Sequence, residues 1–195
     1  MKELEINQSN IDFVSINLEK EAELFLRAYL KEYINQGSEK SIASGQTMLL
    51  GSWLIKFEQT GNTFDVYELS DESLGVYKNG IGFSLNLINS QRELCLKNNL
   101  AFTPVSCDKL VAAYDDIFDS NAYVYGLKDI GTDKMSGFVL WSDYSPKDIS
   151  KIRYYHLYDL TKKLPKIFKF LAIPEGYKFN LNTEEIIQSN INENS

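Results

Sequence analysis

The chain has 195 residues, 44% hydrophobic and 24% charged, with a net charge of −7 and a pI near 4.8. That length and balance suit one medium soluble domain or two small ones, burying roughly 70% of the unfolded surface without staples. The acid excess repels nucleic-acid phosphate, no run approaches the length of a membrane span, and one His with two separated Cys excludes a structural zinc cluster.

The start, from Leu4 and Ile6 to Ile11, Phe13 and Ile16, suits a short strand or extended arm. It has no apolar signal core, and two isolated cysteines (Cys95, Cys107) suit a reducing compartment, so a cytoplasmic location is expected. Asn17 is a candidate helix N-cap, with Glu19 and Glu21 in the first turn. Leu18, Ala22, Phe25, Leu26, Tyr29, Leu30 and Tyr33 recur at three- and four-residue steps, which predicts an amphipathic helix ending near Gly37. Residues 38–46 are polar and loop-like. Met48 to Phe57 is an apolar β run, Thr60-Gly61-Asn62 a turn, and Phe64 to Leu69 an alternating strand, so a hairpin with a three- to five-residue connection is expected. Gly75, Gly80 and Gly82 bracket a predicted short strand pair ending near Leu87.

A helix is predicted over Gln91–Leu100, with Leu94 and Cys95 inward, and Pro104 stops it. Strands follow over Leu110–Tyr114, Ala122–Leu127 and Gly137–Trp141, and Tyr154 to Tyr158 alternates through His156. Leu160, Leu164, Ile167, Phe168 and Leu171 form a helical stripe that tolerates Pro165 only near its start. Pro174-Glu175-Gly176 turns the chain into a strand over Tyr177–Leu181. The expected fold class is α+β, a mixed or mainly antiparallel sheet flanked by about three helices. The expected organisation is an N-terminal part over residues 1–88, an α+β domain over 89–187 and a frayed tail over 188–195.

Catalytic sets are scarce. His156 is the one histidine; a triad or thiol pair would have to use it, yet no Gly-x-Ser-x-Gly elbow accompanies it. Gly80-Ile81-Gly82 lacks the third glycine of a dinucleotide fingerprint, and no P-loop exists. The adjacent acids Asp71/Glu72, Asp115/Asp116 and Glu184/Glu185 cannot form a dyad on a strand, where neighbours point to opposite faces. Asp115, Asp116 and Asp119 lack the glycine and closing glutamate of a calcium loop. They read as a solvated turn or as a dock for basic side chains. From Pro146 to Phe170, seven Lys/Arg face two acids, the wet side of an amphipathic helix. No cofactor or metal site is expected.

From residue 90 to 182 an ordered set of short motifs runs along the chain: Gln91-Arg-Glu-Leu-Cys95, Phe102-Thr-Pro104, Gly126-Leu127, Gly137-Phe138-Val-Leu-Trp141, His156-Leu157, and Leu171 to Phe179. This set resembles a bacterial immunity-protein domain family of polymorphic toxin systems. Phe138 and Tyr177 stand where that pattern usually has Trp, and Glu184-Glu185-Ile186 replaces its acidic-tryptophan ending. The resemblance implies a cytoplasmic protein that neutralises a cognate protein toxin by non-covalent binding, as a monomer or homodimer, with no nucleic acid, membrane or catalysis involved. An acidic inhibitor suits a basic toxin. The candidate partner-binding residues are Asp115, Asp116, Asp119, Trp141 and Tyr144. The alternatives are a hydrolase-like enzyme using distant carboxylates or a Cys nucleophile, and a module that self-associates through its aromatic strands.

Overall fold

A computed structural model describes residues 4–36, 41–70, 75–146 and 148–189. The chain divides into two compact units, Met1–Asn86 and Leu87–Ser195. The expected α+β class holds, with three α-helices among the described residues and sheets that are antiparallel apart from two parallel pairings.

In the first unit, β1 (Ile6–Asn7) pairs with β3 (Ser41–Ile42), and β2 (Ser15–Asn17) leads into α1 (Lys20–Gln36). The main sheet contains β2, β4 (Thr47–Leu50), β5 (Trp53–Thr60), β6 (Thr63–Leu69) and β7 (Tyr77–Asn79). Helix α1 follows its apolar period and buries Leu26, Leu30 and Ile34. It starts later than Asn17 implies. Asn17 belongs to β2, which runs parallel to β6, and its Nδ2 donates to Asp65 Oδ1 at 2.7 Å. The sheet claims the residue before it can cap. Gly37 lies outside the described residues.

The expected Met48–Phe57 run is two strands. Gly51-Ser52 turns the chain back so that Leu50 faces Trp53, and Gly61-Asn62 does the same between Thr60 and Thr63. Both glycines have φ of 63°, and glycine at the first central position is the signature of a type II′ hairpin, whose twist matches the strands. Two-residue loops are therefore shorter than the expected three to five.

The strand pair expected around Gly80 and Gly82 is also revised. Only β7 is a strand, and Gly82 opens α2 (Gly82–Lys97), which starts in the first unit and ends in the second. The cause lies in β6. Glu68 occupies an inward position after Phe64 and Val66 and is only 3% exposed. Its carboxylate accepts from Phe83 N (3.1 Å), Ser84 N (2.7 Å) and Ser84 Oγ (2.9 Å). A buried carboxylate needs such partners, and a helix N-terminus supplies free N–H groups and favourable dipole charge.

The second unit continues through β8 (Leu110–Ala113), β9 (Val124–Lys128), β10 (Met135–Ser142), β11 (Arg153–His156), α3 (Leu157–Lys163), β12 (Tyr177–Asn180) and β13 (Ile186–Gln188). Sheet order is β11-β8-β10-β9-β12-β13, with β8 and β10 parallel and the other neighbours antiparallel. One face packs against Leu94 and Cys95 of α2, Leu157 and Leu160 of α3, and Ile167 and Phe170 of a 3-10 turn over Pro165–Phe170. The expected single stripe is thus α3 followed by a separate turn, because Pro165 cannot continue the helix. Tyr158 lies in α3 and not on the strand with His156. Gln188 ends β13 and Ser189 N donates to Gly176 O at 2.7 Å; residues 190–195 lie outside the described set.

Two glycines of the motif set have a steric role. A Cβ on Gly126 would sit 2.1 Å from Phe179 Cζ, so β9 is bare where that ring lies on it. Phe179 stacks on Phe170 (4.8 Å, 19°) and meets the edge of Phe138 (5.9 Å). Gly137, at φ 82°, allows β10 to bulge beside β8, and a Cβ there would lie 2.1 Å from Asp129 O and 2.8 Å from Lys128 Nζ. That bare site admits Lys128, which is 4% exposed and donates to Asp129 O (2.9 Å) and Ser136 O (2.8 Å). Burial lowers the pKa of its ammonium.

Candidate docking face on the second unit

The other face of the six-stranded sheet can be built row by row from strand register, because residues directly opposite point the same way. One row is Tyr154, Ala112, Val139, Leu127, Lys178 and Ile187, which crosses all six strands. Two residues along, Trp141 faces Tyr125, Tyr125 faces Asn180, and Asn180 N donates to Glu185 O at 3.0 Å. A third row extends the ladder past the strand ends: Asp143 N donates to Tyr123 O (3.2 Å) and Tyr123 N to Asp143 Oδ1 (3.0 Å). Alternation puts Tyr123 on the same side as Tyr125, while the Asp143 carboxylate is held at the strand end by Tyr123 N.

The face is apolar and aromatic, with charge at its margin. Tyr125 and Trp141 stack at 6.2 Å and 21°. Beside them is a depression of about 130 Å³ lined by Lys178, Asn180, Glu185 and Ile187 among others. Tyr123 is 51%, Ile187 53% and Tyr154 64% exposed, which is unusual for such side chains.

The acidic turn lies at the same end of the sheet as the third row. Asp115 and Asp116 start a 3-10 turn over Asp115–Phe118 directly after β8, which is parallel to β10. Ser145 Oγ donates to Asp116 Oδ1 at 2.7 Å, tying the turn to the loop after β10, and Asp116 Oδ2 is buried with no hydrogen-bond partner among the described residues. The Tyr155 hydroxyl donates to Asp115. Burial, and then this bond to a carboxylate, pushes the Tyr155 pKa up to about 12. Asp119 is exposed and its Oδ1 accepts from Asn121 N (3.0 Å); Tyr144 is exposed on the loop whose Ser142 and Ser145 make the tie.

The structure therefore brings Asp115, Asp116, Asp119 and Tyr144 to one end of the sheet, with Trp141 on the open face beside it. Sequence reasoning missed Tyr123, Tyr125, Asp143, Glu185 and Ile187. Counting back two residues at a time from Trp141's partner strand would have found the tyrosines; Glu185 and Ile187 needed the pairing of β13, reached through a turn in which Asn180 Oδ1 accepts from Asn182 N and Thr183 N.

His156 is exposed, with Nδ1 3.2 Å from Asp108 O. Cys107 is buried, and so is Cys95, whose Sγ lies 3.4 Å from Ala172 O. Burial raises the Cys95 pKa and so keeps it a thiol. Among the described residues no group of three His, Cys, Asp or Glu side chains is placed to hold a metal ion, and no helix is long and apolar enough to cross a membrane. A family model described as the Imm33-like domain matches residues 90–190, slightly more than half of the chain. No curated protein and no solved structure gives a significant match.

Proposed function

The chain belongs to the Imm33-like domain family, and from that premise we propose that it is an immunity-type protein that neutralises a cognate protein toxin in the cytoplasm by non-covalent binding. The half-exposed Trp141–Tyr125 stack on an open sheet face carries this reading. Tryptophan and tyrosine dominate binding hot spots because they bury large area at small entropic cost. The rows supply the centre of the footprint. A standard interface uses roughly 20–30 residues a side, so contact extends over the acidic turn, with Asp115, Asp116, Asp119 and Tyr144 at its rim. Neutralisation of this kind needs complementarity and no catalytic group. A thiol-based hydrolase finds little support, since the imidazole faces solvent while both thiols are buried.

Co-expression with the toxin encoded beside its gene tests the proposal. Cells survive with the native chain, and Trp141→Ala weakens association with the purified toxin by a hot-spot amount, about 2 kcal/mol or more. The reading fails if the native chain neither protects cells nor binds that toxin, or if the Trp141→Ala chain binds it undiminished.

A further inference from the structure

We propose that the depression on this face receives an arginine side chain of the partner, its guanidinium stacking beside the Trp141–Tyr125 pair and pairing with the carboxylate of Glu185. The inference rests on the docking reading and names the chemistry of its anchor.

Three observations converge. The Tyr125 and Trp141 rings are stacked, near-parallel and 6.2 Å apart, and both line the depression, so a planar cation can extend the stack, and aromatic faces of Trp and Tyr attract a cation. The depression, about 130 Å³, has side-chain dimensions, being several times the roughly 30 Å³ of a water. Glu185 stands in its wall, and among the described residues its carboxylate has no hydrogen-bond or ion-pair partner.

Charge sets the orientation. Lys178, the cation in the wall, belongs to the first row with Ile187, and Glu185 belongs to the aromatic row. A guanidinium thus enters with its stem along Ile187 and its head turned from Lys178 toward Glu185. Other anchors fit less well. An apolar side chain would cover Glu185 and leave its charge unpaired, which is costly. An acidic one could use Lys178 but would meet Glu185. Lysine lacks the planar fork that stacks and pairs at once.

The test uses the full-length, isotope-labelled protein with three blocked amino-acid amides as probes: acetyl-arginine, acetyl-lysine and acetyl-leucine amide. The arginine probe should shift the Trp141 indole N–H resonance saturably, the lysine probe more weakly and the leucine probe least. Glu185→Gln, at an exposed position, should weaken arginine binding about two- to fivefold, the scale of one exposed ion pair, while Lys178→Gln strengthens it. Equal responses to the three probes, no shift at Trp141, or indifference to Glu185→Gln overturns the inference. If Trp141→Ala weakens toxin binding but the arginine probe leaves Trp141 unmoved, docking stands and the arginine assignment falls. If the probe binds but toxin association ignores Trp141→Ala, the docking reading falls and takes the assignment with it.

Discussion

Replacing Gly126 by alanine adds one methyl group at a point where the sheet has no room for it. The new Cβ would lie 2.1 Å from Phe179 Cζ and 2.6 Å from both Cε atoms, against a normal carbon contact of about 3.5–4.0 Å, so the ring must withdraw by roughly 1.5 Å. It has nowhere to go, because Phe170 is stacked against it at 4.8 Å and Phe138 meets it at 5.9 Å. Gly126 is not among the positive-φ glycines, so alanine is acceptable to the backbone and would by itself stabilise the chain by about 0.4–1 kcal/mol. Sterics outweigh that gain. Overpacking costs about 1–3 kcal/mol, and expelling the ring altogether approaches the roughly 3–5 kcal/mol of a Phe→Ala change. A net loss of about 2–3 kcal/mol lowers Tm by roughly 4–12 °C for a chain of this size, measurable by calorimetry. Amide exchange should place the loss at the β9–β12 ladder. A double-mutant cycle sharpens the test: Phe179→Leu should cost less in the Gly126→Ala background than in the native one, with a coupling above about 1 kcal/mol. An unchanged or raised Tm for Gly126→Ala, or additive single and double variants, would refute the steric argument.

Glu68→Ala leaves Phe83 N and Ser84 N of α2 without their acceptor and should cost about 2–3 kcal/mol in urea unfolding, with Glu68→Gln milder; equal stability of the alanine variant would show that the carboxylate is not needed there. Alkaline titration separates a buried and a half-buried group of the second unit, Lys128 and Tyr155. Lys128 has its pKa lowered from 10.5, so below 10.5 the unfolded chain binds more protons and stability rises with pH through that window, a rise that Lys128→Met should remove. Tyr155, raised from 10.0 to about 12, acts oppositely: its contribution is complete below pH 10 and is lost as pH rises toward 12. Spectrophotometric titration should therefore show a phenol ionising near pH 12 that is absent in Tyr155→Phe; an unchanged late part of the titration curve in that variant would contradict the assignment.

Much of the fold is legible because local rules and tertiary packing agree. The apolar period of α1, the turn at Gly61 and the strand over Gly137–Trp141 all appear in the structure, the turn with a shorter loop than expected. The failures share a cause: a distant residue decides. Asn17 is an excellent cap in isolation, but pairing with β6 takes it into the sheet. Gly80 and Gly82 suggest turns between strands until Glu68, a dozen or more residues earlier, offers a buried carboxylate that the start of a helix satisfies. Gly51 was hidden inside an apolar run that was long enough for a single strand. For the candidate site, Trp141 and the aspartates stand out by residue type alone. Tyr125, Asp143 and Glu185 do not, because only the pairing of β9 with both β10 and β12, and of β12 with β13, sets them side by side.

The order of the six-stranded sheet also governs how it can be made. Only β9–β10 and β12–β13 join strands consecutive in the chain; β8 must find both β10 and β11. As the ribosome releases the polypeptide, the apolar Leu110–Ala113 segment has neither neighbour until residues 135–156 have emerged. High contact order of this kind slows folding and leaves an unsatisfied strand edge exposed to aggregation. Production of the protein should therefore benefit from slowed translation or a chaperone that shields that edge.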